Sequence, residues 1–220
     1  MIVKKRLFRV LIITSVILLS IALFLFIYEY RSGQEQSFNK YRLSKAEMDS
    51  LHDGDIILRH GFGVVSDMIG ETMNEEFNVS HCAIVCKPTA DSIYVIHSVS
   101  SSLSDFDGVQ TCGINKFMQE SKPNSVMVVR YKAKIDKDLS CISKKANNYL
   151  KKQVAFDDDF DIIDHKKIYC SELPFLIFKE EFNHDIFNST DPEKTTHKLF
   201  KSFWDTTQFS IIINHQLRKK

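Results

Sequence analysis

From Val10 to Tyr28 the chain carries no charged residue, and Thr14, Ser15 and Ser20 are the only strongly polar members of the run. As a helix, roughly 19 residues at 1.5 Å each reach about 28 Å, close to the thickness of a bilayer's hydrocarbon core. Lys4, Lys5, Arg6 and Arg9 precede the run, which predicts that the N-terminus stays in the cytoplasm. A secretory signal peptide would be shorter and would end in small residues, whereas this run closes on Phe24-Leu25-Phe26-Ile27-Tyr28-Glu29-Tyr30. The expectation is an uncleaved signal anchor at 10–28, behind a basic cytoplasmic flank at 1–9. A polar linker at 29–43 and one domain at 44–220 follow, outside the cytoplasm on the periplasmic side. Tyr28 and Tyr30 then sit at the far interface.

The residues beyond the anchor suffice for one hydrophobic core. A net charge of +1 gives no basis for binding nucleic acid. Seventeen phenylalanines point to an aromatic-rich core. The five cysteines are Cys82, Cys86, Cys112, Cys141 and Cys170. An odd number in an exported chain leaves at least one thiol unpaired. No spacing among them is that of a zinc framework, so neither a metal nor a cofactor is expected. Cys82, Cys86 and Cys112 read as buried free thiols, with pairing among them left open.

Ser44 and Glu47 form a capping box for a short helix over 44–51. Strands are expected at 55–59, 80–86, 92–99, 125–132 and 209–213. Helices are expected at 64–73, 114–120 and 138–152. Sheet and helix alternate without a regular βαβ rhythm, which argues for α+β. The apolar run Leu173 to Phe178 reads as another helix and places Cys170 at or near its first turn. There the unpaired amides and the helix dipole favour thiolate, the nucleophilic form.

A thiol nucleophile needs an imidazole, and the imidazole needs a third group to orient it. His81 opens the apolar strand Val79-Ser80-His81-Cys82-Ala83-Ile84-Val85, and His97 closes Tyr94-Val95-Ile96-His97. A hairpin through a Lys87–Asp91 turn sets the two histidines almost directly opposite each other, within hydrogen-bonding reach.

Leu51-His52-Asp53-Gly54-Asp55-Ile56-Ile57-Leu58-Arg59, followed by the His81 strand, resembles the start of the circularly permuted papain-like cysteine hydrolases. These are the NlpC-type cell-wall peptidase and amidase superfamily, in its YiiX/YebB-like branch. Phe156-Asp157 through Asp161, then Lys167-Ile168-Tyr169-Cys170-Ser171-Glu172-Leu173, is similar to that branch's later block. The resemblance covers roughly 51–178. It implies an antiparallel sheet packed against a helix that carries the nucleophilic cysteine, with the histidine strand first and the cysteine late. It matches Cys170 to the nucleophile, His81 to the general base and His97 to the third polar position. The branch often has a glutamate at that third position, and permuted relatives of the lecithin:retinol acyltransferase type have a histidine. Cleavage would run through a thioester, with backbone N–H groups near Cys170 holding the oxyanion.

The neighbouring polar residues read as structural. Glu172 would complement the helix dipole, Asp55 would anchor a strand start, and the acidic cluster Asp157–Asp159 with Asp161 and Asp164 would be a solvated loop rather than a calcium site. The serines at 98–104 read as solvated loop. Specificity would lie around Phe62, Ser98–Asp107 and Asn183–Thr195. Three functions compete. The first is a membrane-anchored cysteine hydrolase of an amide, in a peptide, a peptidoglycan stem or a related cell-wall molecule. The second is a lipid-directed acyltransferase or thioesterase acting on an ester, and the third is a binding module that kept the fold. The intact Cys170 and His81 favour an enzyme.

Overall fold

Side chains on successive strand residues point to opposite faces, and here both faces are covered. Ile56, Leu58, Cys82, Ile84, Ile96, Met127 and Val129 pack in one core, while Ile57, Ala83, Val85, Val95 and Val128 pack in another. Burial on both sides explains why these strands read as unbroken apolar runs rather than as alternating ones.

The computed structural model describes residues 2–133, 138–161, 164–187 and 200–217. The strands are β1 (Ile56–Arg59), β2 (His81–Thr89), β3 (Ser92–Val99), β4 (Gly108–Gly113), β5 (Met127–Tyr131) and β6 (Phe209–Asn214). They form one antiparallel sheet in the order β4-β3-β2-β1-β5-β6. The helices are α1 (Ile2–Phe38), α2 (Lys45–Ser50), α3 (Val64–Met73), α4 (Ile114–Gln119), α5 (Ser140–Lys151) and α6 (Glu172–Phe182). A 3-10 turn spans Phe200–Trp204. Ile142 and Ala146 of α5, with Leu173, Ile177 and Phe178 of α6, fill the first core. Phe117 and Met118 of α4 fill the second. The architecture is α+β, as expected.

The sequence reading holds at several points and needs correction at others. The capping box forms: Glu47 N donates to Ser44 Oγ at 3.3 Å, and Ser44 N donates to Glu47 Oε2 at 2.7 Å. The polar stretch expected to be a linker instead continues α1 to Phe38. Helix α1 is long and apolar enough to cross a membrane. Strand β4 escapes the sequence reading because two glycines bound it and a serine-rich loop precedes it. Gly108 adopts φ +83°, and a Cβ there would meet Val154 O at 2.1 Å, so only glycine fits. The β2–β3 register pairs Ile84 with Ile96. Continued by one residue, it sets His97 opposite Ala83, so His97 is the diagonal neighbour of His81 rather than its direct partner. Most of the expected specificity segment Asn183–Thr195 lies outside the described residues.

Asp55 anchors β1, as expected. Its carboxylate accepts from Arg130 Nε at 2.7 Å, Arg130 Nη2 at 2.9 Å and the His52 amide at 2.8 Å, and it is buried. Removing one partner of a buried pair strands the other charge. Asp55→Ala should therefore destabilise the domain by about 3 kcal/mol, read as a lowered thermal midpoint of the full chain in detergent.

Candidate active site

His81 is the first residue of β2, and His97 lies near the end of β3. Their rings meet through a 2.8 Å hydrogen bond between His81 Nε2 and His97 Nδ1, and they lie edge to face at 68°. Diagonal neighbours on one sheet face come this close when their side chains are long or aromatic. Both rings also contact Phe117 of α4, with centroids 6.1 and 6.0 Å away.

Arg59 closes β1 and pairs across the ladder with His81. Its guanidinium stacks over Phe117 at 4.3 Å, donates to Phe117 O at 3.0 Å and pairs with Glu120 at 3.2 Å. The His97 ring is buried and the His81 ring partly buried, both beside a permanent cation. Burial first, then Arg59, pushes His81 well below the ordinary histidine range. The same two causes lower His97 to about 3. Both rings are neutral at physiological pH.

Cys170 stands one residue before Ser171, the N-cap of α6. The thiol therefore stands two residues before the first helical residue, Glu172, at the approach to the first turn. Three contacts fix this approach to the helix. Ser98 Oγ donates to Ile168 O, Ile168 N donates to Ala155 O at 2.9 Å, and Tyr169 N donates to Glu172 Oε2 at 3.4 Å. Glu172 is fully buried and also bonds His165 Nδ1 at 2.7 Å, so it holds the loop together as well as facing the helix dipole. Ser98 is likewise buried, not part of a solvated loop, and Asp157 of the acidic cluster is buried too.

Cys82, a buried free thiol as expected, lies beside Cys170. Its Sγ donates to Cys170 O at 3.2 Å. The neighbouring Cys82 side chain is the main influence that lowers the Cys170 pKa, helped by the backbone amides of Cys82, Ser171 and Cys170 and opposed by burial. Burial instead pushes Cys86 up to about 12 and Cys112 up to about 11. The signal for Cys82 was present in its position directly after His81, but strand alternation gave it no reason to face a distant thiol.

Cys170, His81 and His97 line one open cleft of about 540 Å³. Among the described residues no hydrogen bond joins Cys170 to His81. Catalytic contacts are often long in a free enzyme and tighten around substrate. Phe62, Ser98–Ser100 and Ser102–Ser104 also line the cleft. Glu29, Ser32, Gly33 and Gln36 of α1 line it as well, and nothing in the sequence pattern pointed to them.

The family model of the permuted papain-like amidase enzymes, YaeF/YiiX, C92 family, matches residues 50–210. A solved structure described as metalloprotein yiiX from Escherichia coli O157:H7 is similar in fold, with a TM-score of 0.56 and 16% identity. The similarity covers 75% of this chain and 98% of that one. No curated protein matches this chain. Among the described residues here, no three His, Cys, Asp or Glu side chains are grouped to hold a metal ion. The histidine strand ahead of the cysteine, the antiparallel sheet and the match over most of the chain agree: this protein belongs to the permuted papain-like amidase family of the YaeF/YiiX type, a family of cysteine peptidases and amidases.

Proposed function

We propose that the protein is a membrane-anchored cysteine hydrolase that cleaves an amide outside the cytoplasm, with Cys170 as nucleophile, His81 as general base and His97 as the group that orients it. The observation that carries this reading is that Cys170 lines the same cleft as a hydrogen-bonded pair of imidazoles, His81 and His97. The anchor is α1, whose apolar side chains stand exposed from Val10 to Ile27. A peptide, a peptidoglycan stem or a similar amidated molecule would be the substrate.

The chemistry follows from the protonation states. In the tautomer that the mechanism requires, His81 Nε2–H donates to His97 Nδ1, which leaves the Nδ1 lone pair of His81 free for the thiol proton. The depressed His81 pKa disfavours a resting thiolate–imidazolium pair, so the proton leaves as attack begins. The sulfur forms a bond to the carbonyl carbon, and backbone N–H groups at the start of α6 hold the oxyanion. The imidazolium returns its proton to the amine as the C–N bond breaks. Water, relieved of a proton by His81, then splits the thioester and restores the thiol. His97 is uncharged, so it fixes the tautomer without the charge stabilisation that a carboxylate supplies.

The first test is the pH profile of Cys170 alkylation in the full chain, read at that residue by peptide mass spectrometry. Labelling should persist at pH 6 and fall at least about tenfold in His81→Ala. A profile that tracks an ordinary thiol near pH ~8.5, unchanged by the substitution, would sink the reading. Cys82→Ala should move the same profile to higher pH by removing the polar side chain beside Cys170, and Cys82→Ser should restore part of the shift. Acid stability supplies a further check. In the folded protein both imidazoles are neutral, whereas in the unfolded chain each binds a proton near pH ~6.5. Below that pH the unfolded state holds more protons, so stability falls as pH falls, by about 1.4 kcal/mol per pH unit for each ring. For His97 the loss continues down to its folded value of about 3. A shallower acid limb is expected in His97→Asn, measured by thermal unfolding across pH.

A further inference from the structure

The end of α1 does more than lead into the domain. Tyr28, the last residue of the apolar run, donates its hydroxyl to Asp67 on α3. Glu29 Oε1 accepts the Val64 amide at 2.7 Å, at the start of the same helix. Two turns on, Gln119 Nε2 donates to Ser37 O at 3.2 Å, and Asn39 Nδ2 donates to Gln119 O at 2.8 Å and to Ser121 O at 2.7 Å. The segment is therefore clamped to the domain at both ends. Asp67 is held in turn by His60 and Lys122, so the clamp at Tyr28 rests on a braced residue. Between the clamps, Glu29, Ser32, Gly33 and Gln36 line the cleft that holds Cys170.

We infer that these turns of α1 are one wall of the catalytic cleft and determine which substrates enter it. The inference deepens the proposed function and rests on Cys170 as the attacking thiol. Two features give the wall its chemistry. A Cβ added at Gly33 would meet nothing within 4 Å, so the wall is open there and admits bulk. Among the described residues Glu29 has no ion-pair partner; its carboxylate is satisfied by the Val64 amide and remains exposed. A substrate group against this wall is therefore neutral or cationic rather than anionic. The wall also sets the depth of the reaction. Gln36 lies about 12 Å beyond Tyr28 at 1.5 Å per residue, so where α1 spans a bilayer the cleft opens at headgroup level. Val65 and Met68 of α3 are exposed beside Asp67, at the level where the apolar run ends. The substrate is then one whose scissile bond is held at the bilayer surface.

The test uses the full chain in detergent and reads modification of Cys170 by mass spectrometry. Gly33→Trp should slow a bulky maleimide relative to iodoacetamide by at least about tenfold, because the new side chain fills the open wall. Gly33→Ala should leave that ratio near the wild-type value. Glu29→Gln keeps an oxygen for the Val64 amide and removes the charge. It should lower the preference for a cationic over an anionic methanethiosulfonate reagent by about threefold, a modest effect because water and salt screen an exposed charge. The iodoacetamide rate and the circular dichroism spectrum report whether each variant keeps its fold. A size ratio unchanged by Gly33→Trp in a folded protein would overturn the wall. Failure of the Cys–His reading would appear separately, as an iodoacetamide rate indifferent to His81→Ala, and the size and charge ratios would still decide the wall.

Discussion

Strand β1 is the constraint around which the domain is organised. Ile56, Ile57 and Leu58 are fully buried, with their side chains divided between the two cores. A strand covered on both faces has no solvent side on which to place a polar residue, so polarity collects at its ends. Asp55 at one end is neutralised by Arg130 and holds the strand in place. Arg59 at the other end is packed over Phe117 and tied to Glu120. That second end is the floor of the cleft. The same feature that makes β1 a core strand thus delivers a fixed positive charge next to the histidine pair.

The electrostatic result is a pair of imidazoles held in the neutral form. A buried imidazole beside a guanidinium loses more by protonation than one in water. His81 and His97 share one hydrogen bond, so each has one ring nitrogen committed and one left over. The thiol is tuned from a different direction, by Cys82 and by amides at the approach to α6. Thiol and imidazole are thus prepared by separate parts of the fold. The proposed mechanism asks them to exchange a proton only when a substrate closes the distance. Glu172 and Ser98 keep the approach to α6 in one conformation from opposite sides.

Much of this organisation was legible in the sequence because it depends on short-range patterns. The capping box at Ser44 and Glu47, the apolar runs of β1, β2 and β5, and the amphipathic α5 each announce themselves within a dozen residues. The pairing of His81 with His97 followed from hairpin topology, although the register placed the rings diagonally. What could not be read depends on tertiary approach. Strand β4 is defined by its pairing with β3 and not by its composition. Cys82 matters because a loop almost ninety residues later arrives beside it. The buried roles of Glu172 and Ser98 likewise need the partner loop in place. Polar residues from 29 to 38 look like a spacer in one dimension and form the end of a docked helix in three.

Under the anchoring proposed above, that docked helix would tie the address of the protein to its chemistry. In a tethered enzyme with a slack linker, the anchor sets where the domain resides, and cutting the linker releases an unchanged catalyst. Here Ser32 is buried against the domain, and the chain between the apolar run and Asn39 has no slack to lose. A protease that severed the chain past Gln36 would free a domain with one side of its cleft missing. If α1 is the proposed anchor, such a cut would alter the enzyme as well as release it.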